Sequence, residues 1–251
     1  MNILVSNDDG IYAPGIAALV SSLAPLGQVT VVAPSSERSA VGHAITISDP
    51  IKVREVSRNG WHGFAVGGTP ADAVKLAVCT LLPKPPDVVV SGINLGPNAG
   101  IAVLYSGTVS AATEGTILQI PSMAVSLNTF EHPHWETAAE VARKLTERLC
   151  ATPLPHGVLL NVNVPNVPLA DLRGYRSTSM ARSRFIETFH ARKDPRGGAY
   201  YWMDGYLEVL GEREGTDLEA LESGFVSMTP IHFDLTHTAS RHQLASWADE
   251  L

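Results

Sequence analysis

The sequence predicts an α/β fold built on a mostly parallel sheet flanked by helices, and three features carry that prediction. Short apolar runs recur at residues 3–5, 29–33, 88–90, 123–126 and 158–164, long enough for strands and too short for helices. Stretches with helical spacing separate them. The first and third runs stop in polar, glycine-containing loops, which is where open α/β sheets place their ligands.

The first strand ends in Asn7-Asp8-Asp9-Gly10. After Pro14 and Gly15, apolar residues at Ile16, Leu19, Val20 and Leu23 mark one buried helix face. The second strand is closed by Pro34 and Ser35, and a β excursion follows it. There residues 44–47, 51–56 and 61–66 read as short strands around Asp49-Pro50 and Asn59-Gly60 turns. Thr69-Pro70-Ala71-Asp72 opens a helix, with Thr69 as N-cap, Pro70 at the first helical position and Asp72 three residues after the cap. Pro83 to Pro86 end it before the third strand. That strand runs into Ser91-Gly92-Ile93-Asn94-Leu95-Gly96-Pro97-Asn98-Ala99-Gly100, a second glycine-rich loop at a strand end. Tyr105-Ser106-Gly107-Thr108 starts the next helix, whose small residues Ser110, Ala111 and Ala112 predict close packing. Residues 134–149 form the longest amphipathic helix.

Beyond Pro165 the alternation breaks down, so residues 1–165 read as the core and 166–251 as a C-terminal extension. Residues 200–202 and 225–229 read as strands and 241–248 as a terminal helix. The charged stretch Arg192-Lys193-Asp194-Pro195-Arg196-Gly197-Gly198 reads as an exposed loop, of a length that suggests a subunit contact or a site lid.

Composition narrows the function. The chain of 251 residues carries a formal net charge of -7 with no long Lys/Arg run, which argues against a general nucleic-acid surface. Cys79 and Cys150 form no disulfide framework and sit in apolar helical patterns, so both are expected in the core of a reduced, cytoplasmic protein. No signal peptide and no bilayer-spanning run are expected. Gly-x-x-x-x-Gly-Lys-Ser/Thr, Gly-x-Gly-x-x-Gly, Gly-x-Ser-x-Gly and His-Glu-x-x-His patterns are all missing. Of the scattered histidines, His43 and His232 lie near apolar runs and read as structural.

Right-handed crossovers would bring the carboxyl ends of the first three strands to one edge. Asp8 and Asp9 follow the first strand, Ser39 the second and Asn94 the third. Adjacent carboxylates repel. A hard divalent cation would relieve that, and two charged and two neutral oxygens make a partial shell for Mg²⁺, Mn²⁺ or Ca²⁺. Singly, each residue is also explained as a turn, a cap or a loop tie. The helix start at Ser106, Gly107 and Thr108 offers amides, the positive end of a dipole and two hydroxyls to a phosphate, or simply an N-cap.

Ser6-Asn7-Asp8-Asp9-Gly10 with Ala13-Pro14-Gly15, Arg38-Ser39, Gly68-Thr69-Pro70, Ser91-Gly92-Ile93-Asn94 and Tyr105-Ser106-Gly107-Thr108 together resemble the SurE family of stationary-phase survival proteins, which are 5'-nucleotidases. The likeness continues through Asn161-Val162-Asn163-Val164-Pro165, Asp194-Pro195-Arg196-Gly197 and Gly215-Thr216-Asp217, and so covers almost the whole chain. It departs at Met180-Ala181, where a glycine is more usual. The resemblance implies a Rossmann-like core and a metal-dependent phosphomonoesterase acting on nucleoside 5'-monophosphates. One divalent ion per subunit, Mg²⁺ or Mn²⁺ with Ca²⁺ as a crystal substitute, would be held by Asp8, Asp9, Ser39 and Asn94. Asp8 and Asp9 are the expected catalytic groups; Asn94, Ser106, Gly107 and Thr108 are the expected phosphate contacts. It further implies a C-terminal extension exchanged between subunits of a homodimer or homotetramer, with no nucleic-acid polymer or membrane as partner. Activity on 3'-nucleotides, polyphosphate or other phosphomonoesters is not legible in the residues.

Phosphate monoesters are so inert that catalysis must remove more than about 20 kcal/mol at the extreme. The expected route is attack by water, activated by the metal or by Asp8 or Asp9, with an Asp8 aspartyl-phosphate as the minority route. Arg38 would add positive charge or remain a surface residue. Two rivals remain: a Mg²⁺-binding phosphorylatable signalling module, whose phosphoacceptor position is here Asn94, and a passive nucleotide-binding protein.

Overall fold

The computed structural model describes residues 1–58 and 60–250. Its main sheet has nine strands in the order β3-β4-β2-β1-β5-β6-β7-β11-β8. β1 (Asn2–Ser6), β2 (Gln28–Pro34), β4 (Trp61–Val66), β5 (Val88–Leu95), β6 (Ser122–Asn128) and β7 (Val158–Pro165) run parallel to their neighbours in this group. β3 (Val53–Arg58) and β11 (Val226–His232) are antiparallel to β4 and β7, and the short β8 (Tyr175–Ser177) pairs parallel to β11. The chain is thus a mixed α/β protein with a large, mostly parallel sheet.

Burial on both faces explains why the central strands are almost wholly apolar. Along β1, Ile3 and Val5 enter one core with Ile16, Leu19, Val141 and Ala142, from α1 (Pro14–Leu23) and α4 (Trp135–Ala151). Leu4 points the other way, into a core with Val74, Ala77 and Ala111. That face is covered by α2 (Pro70–Leu76), its π-helical continuation, and α3 (Gly107–Ile117). The predicted start of α2 is present as a capping box: the Asp72 amide donates to Thr69 Oγ1 at 3.1 Å and the Thr69 amide to Asp72 Oδ2 at 2.9 Å.

Three expectations need correction. Residues 44–47 form no strand; the Thr46 amide and hydroxyl donate to Asp72 and Thr69 Oγ1 donates to the Ala44 carbonyl, so side chains take the place of a ladder. The rest of the expected β excursion is present as β3 and β4 and joins the main sheet, where β4 pairs with β2 and β3 closes that edge. Within its turn, Asn59 lies outside the described residues. The charged stretch around Arg192 is the end of a long hairpin, β9 (Ser183–Lys193) with β10 (Ala199–Val209), forming a sheet of its own. Finally, Cys79 is exposed and Cys150 only half-buried, because the π-helical turn carries Cys79 off the packed face.

After the hairpin, α5 (Asp217–Glu222) returns the chain to β11, and α6 (Arg241–Glu250) packs chiefly on the single turn before it. Among the described residues, no helix is long and apolar enough to cross a membrane.

Candidate active site

β1 lies between β2 and β5, so its outgoing loop opens at a crevice where neighbouring connections diverge. Asn7 stabilises the exit by donating from Nδ2 to the Gly10 carbonyl at 3.0 Å. Gly10 then turns the chain at φ +97°, a conformation costly for any residue with a Cβ. Asp8 and Asp9 are left at the mouth of a cavity of about 820 Å³, which Glu37, Ser39, Asn94 and Ser106 also line.

Asp8 is only 4% exposed and lies against the start of α3. The Thr108 hydroxyl donates to Asp8 Oδ1, and a Cβ on Gly107 would sit 2.6 Å from the Asp8 Cβ. Glycine is required there for the close approach. Burial pushes the Asp8 carboxyl above its ordinary range, while the Thr108 hydroxyl and the Thr108 and Gly107 backbone pull it back. Asp9 is pushed up to about 6, first by burial, then by the Asp8 charge, with Glu37 adding to it and the Leu95 backbone opposing.

This geometry revises the expected phosphate cradle. Thr108 is fully buried and its hydroxyl is committed to Asp8, so it stands behind the carboxylate instead of facing the cavity. The α3 N-terminus serves that carboxylate. Ser106 does reach the cavity wall, while its Oγ accepts from the Val109 amide at 3.0 Å as the N-cap. Asn94 donates from Nδ2 to the Gly96 carbonyl at 2.7 Å, which orients its amide and leaves Oδ1 without a protein donor among the described residues.

Ser39 is exposed but not loosely placed. The Arg38 amide donates to the Asp8 carbonyl at 2.7 Å, and the Gly42 amide to the Tyr105 carbonyl at 3.0 Å. Further along, His43 Nε2 lies 2.9 Å from Glu114 Oε2, in keeping with a structural role. Burial raises the Glu114 carboxyl, but contacts with His43 and Lys75 outweigh it and hold it below the usual range. Ser39 Oγ donates to Glu37 Oε1 at 2.7 Å, which leaves its lone pairs for another partner. Arg38 is exposed and its side chain is not part of the cavity lining.

The donor chemistry suits a hard divalent ion: two carboxylates, a hydroxyl with free lone pairs and an amide oxygen, with no Lys, Arg or His in the lining. Among the described residues no three His, Cys, Asp or Glu side chains converge, so the neutral oxygens of Ser39 and Asn94 would have to complete the shell.

Two features escape sequence reasoning. The Asn98 amide donates to Asn163 Oδ1 at 2.8 Å, its carbonyl accepts from Asn161 and Asn163, and its Nδ2 donates to Ser126 at 2.8 Å, pinning the loop after β5 onto β6 and β7. Two asparagines at alternate positions of a buried strand were the available signal. The second is Asp217, fully buried, which accepts from the Gly100 and Ala181 amides at 2.8 and 2.9 Å and so joins the site loop to the root of the hairpin. The hairpin completes the cavity through Phe185, Glu187, Met203, Asp204 and Gly205.

The family model "Survival protein SurE" matches residues 3–187. A protein named 5'-nucleotidase SurE from Syntrophobacter fumaroxidans is 48% identical over 98% of this chain and 99% of its own length. Its namesake from Heliobacterium modesticaldum is 48% identical over 98% of this chain and 92% of its own. The crystal structure of the SurE protein from Aquifex aeolicus superposes with a TM-score of 0.86 at 38% identity, covering 99% of this chain and all of that one. With the family model spanning most of the chain and these relatives aligned nearly end to end, the chain belongs to the SurE family.

Proposed function

We propose that this protein is a divalent-metal-dependent 5'-nucleotidase that hydrolyses nucleoside 5'-monophosphates to nucleoside and inorganic phosphate. The observation that carries the reading is the single cavity lined by Asp8, Asp9, Ser39, Asn94 and Ser106. Its relatives named 5'-nucleotidase SurE supply the activity class.

Asp8, Asp9, Ser39 and Asn94 would hold the ion, Mg²⁺ or Mn²⁺. When bound, such an ion polarises a phosphoryl oxygen and offsets charge on the departing one. Asp8, fixed by Thr108 and the start of α3, provides a charge of constant position. Asp9, the more accessible of the pair, takes a proton from the attacking water. As the new P–O bond forms, the bond from phosphorus to the nucleoside oxygen breaks, and the proton ends on that oxygen. Ser106 and the loop ordered by Asn98 orient the phosphoryl group.

A phosphorylatable signalling module is disfavoured, because β5 delivers Asn94, which cannot accept a phosphoryl group as an aspartate does. Residues 1–165 supply every group invoked in the chemistry; 166–251 add the roof and, in this reading, the assembly contacts of a homodimer or homotetramer. Leu235, Leu244 and Trp247 are 82%, 53% and 51% exposed, which suits burial against a second copy. Two unpaired thiols suit a reducing, cytoplasmic setting.

Phosphate release from a panel of 5'-nucleotides, 3'-nucleotides and polyphosphate, with and without EDTA, tests the reading. Activity on 5'-nucleotides should vanish with the chelator and return with Mg²⁺ or Mn²⁺; activity indifferent to the chelator rejects it. A phosphoenzyme trapped by acid quench from the wild type and absent in Asp8→Asn would replace water by Asp8 as the attacking group.

A further inference from the structure

β9 and β10 pair with Gly205 opposite Glu187, Met203 opposite Phe189 and Leu207 opposite Phe185. Residues directly opposite share a face, so Phe185, Glu187 and Phe189 project to the same side as Met203, Gly205 and Leu207. Phe185, Glu187, Met203 and Gly205 of this face line the cavity. Across from them, Tyr105 meets Phe185 edge to face at 6.3 Å, and Phe130 packs on Gly96 so closely that a Cβ there would come within 2.5 Å of its ring. The space between the hairpin and the core is therefore walled by aromatic rings from three separate segments.

Among these six residues Glu187 is the one that carries a charge. Of the other carboxylates that line the cavity away from Asp8 and Asp9, Glu37 accepts from Ser39 and Asp204 accepts from the Gly205 amide at 2.7 Å. Glu187 is exposed, has no hydrogen-bond or ion-pair partner among the described residues, and faces Gly205, which has no side chain to pair with it, directly across the ladder. A carboxylate offers acceptors only. Flat rings suit a nucleobase, and an acceptor-only group between them suits a base edge that donates.

Resting on the nucleotidase reading, we propose that the aromatic walls hold the base of the nucleotide and that Glu187 is a specificity-determining residue for guanine. Guanine presents two adjacent donors, the N1 proton and the N2 amino group, in the spacing of the two carboxylate oxygens. Hypoxanthine has the same ring and the N1 proton without the amino group. It therefore makes one of the two hydrogen bonds. Adenine offers only its N6 amino group and places an acceptor at N1, which faces Glu187 as a repulsive contact.

Steady-state kcat/KM for GMP, IMP and AMP, with p-nitrophenyl phosphate as a base-free substrate, tests this on the full-length metal-loaded protein. The wild type should prefer GMP over IMP by about tenfold or more, as one hydrogen bond to a charged acceptor allows. Glu187→Ala should bring that ratio close to one, and Glu187→Gln should leave it in between. Equal use of GMP and IMP by a wild type that does cleave p-nitrophenyl phosphate overturns the base-recognition proposal alone, as does an unchanged ratio in Glu187→Ala. Release of no phosphate from any of these substrates overturns the nucleotidase reading and this proposal with it.

Discussion

Asp8 and Glu187 line the same cavity but are held in opposite ways. Asp8 leaves a central strand that has a partner on each side, is 4% exposed, and is fixed by Thr108 and the α3 N-terminus. Glu187 stands exposed on a two-stranded arm, with no protein partner among the described residues. The floor is over-determined and the roof is not. Bond-making needs groups fixed to a fraction of an ångström, whereas base recognition tolerates an arm that adjusts, so the two tasks fall on elements of different rigidity. The link between them is narrow: Asp217 holds the Gly100 and Ala181 amides together, and Ser183 Oγ accepts from the Ile101 amide at 2.9 Å.

The comparison breaks first at the floor. Asp9→Asn keeps the shape of the side chain and removes a charge, so it should cost several kcal/mol of transition-state stabilisation, about a thousandfold in kcat, with thermal unfolding still cooperative. A variant that retains kcat at unchanged Mn²⁺ concentration would remove Asp9 from the chemistry. Gly107→Ala is the next largest. Its new Cβ would lie 2.6 Å from the Asp8 Cβ, so the carboxylate must move. Misplacement on this scale is expected to lower kcat about a hundredfold, and a crystal structure of the variant should show Asp8 displaced.

At the roof the same kind of truncation should act on binding. Phe185→Ala removes one ring of the Tyr105 pair from an exposed arm and should raise KM for nucleotides about fivefold, the size of a lost aromatic contact, with kcat within about twofold. A large fall in kcat with unchanged KM would mean that the arm helps to place the reacting groups and that the division of labour is wrong.

The same division governs what can be read from the chain without coordinates. Asp8, Asp9, Asn94 and Ser106 are legible because each follows a short apolar run or opens a capped helix, and local pattern alone puts them on one sheet edge. Ser39 is harder. Its loop is ordered by Thr46 reaching Asp72 and His43 reaching Glu114, contacts across 26 and 71 residues that no local window contains. Grouping Ser39 with the acidic pair draws on the family resemblance as much as on pattern. The hairpin is legible only as a short strand at 200–202 beside a loop, because a ribbon wetted on both faces lacks strict apolar and polar alternation: Tyr200, Trp202 and Tyr206 lie on one face while Phe189 and Met203 lie on the other. Thr108 is misjudged for a related reason. A hydroxyl at a helix start looks available to a ligand until the fold sets a buried carboxylate against it.

A smaller effect, on stability, measures how much tension the floor stores. Asp9 titrates near 6 in the folded protein against an ordinary value of 3.8, with burial and the Asp8 charge as the leading causes, and Asp8 is also raised. The folded state therefore binds more protons than the unfolded chain between these values. The resulting stabilisation is fully present below 3.8 and is lost as pH rises through about 6. Groups shifted the other way, Glu114 and Asp72, lose stabilisation as pH falls, so the raw melting curve mixes opposite trends. The difference between wild type and Asp9→Asn isolates the floor. In EDTA, the melting temperature of the variant should gain on that of the wild type by a few degrees between pH 5 and pH 7 and level off above that. Saturating Mg²⁺ or Mn²⁺ should erase or reverse the gain, because an ion bound by the native state replaces the missing countercharge and the variant has lost a ligand for it. A gap that stays flat with pH in EDTA would mean that the Asp8 and Asp9 pair carries no uncompensated charge, and with that the case for a cation at the floor would lose its physical basis.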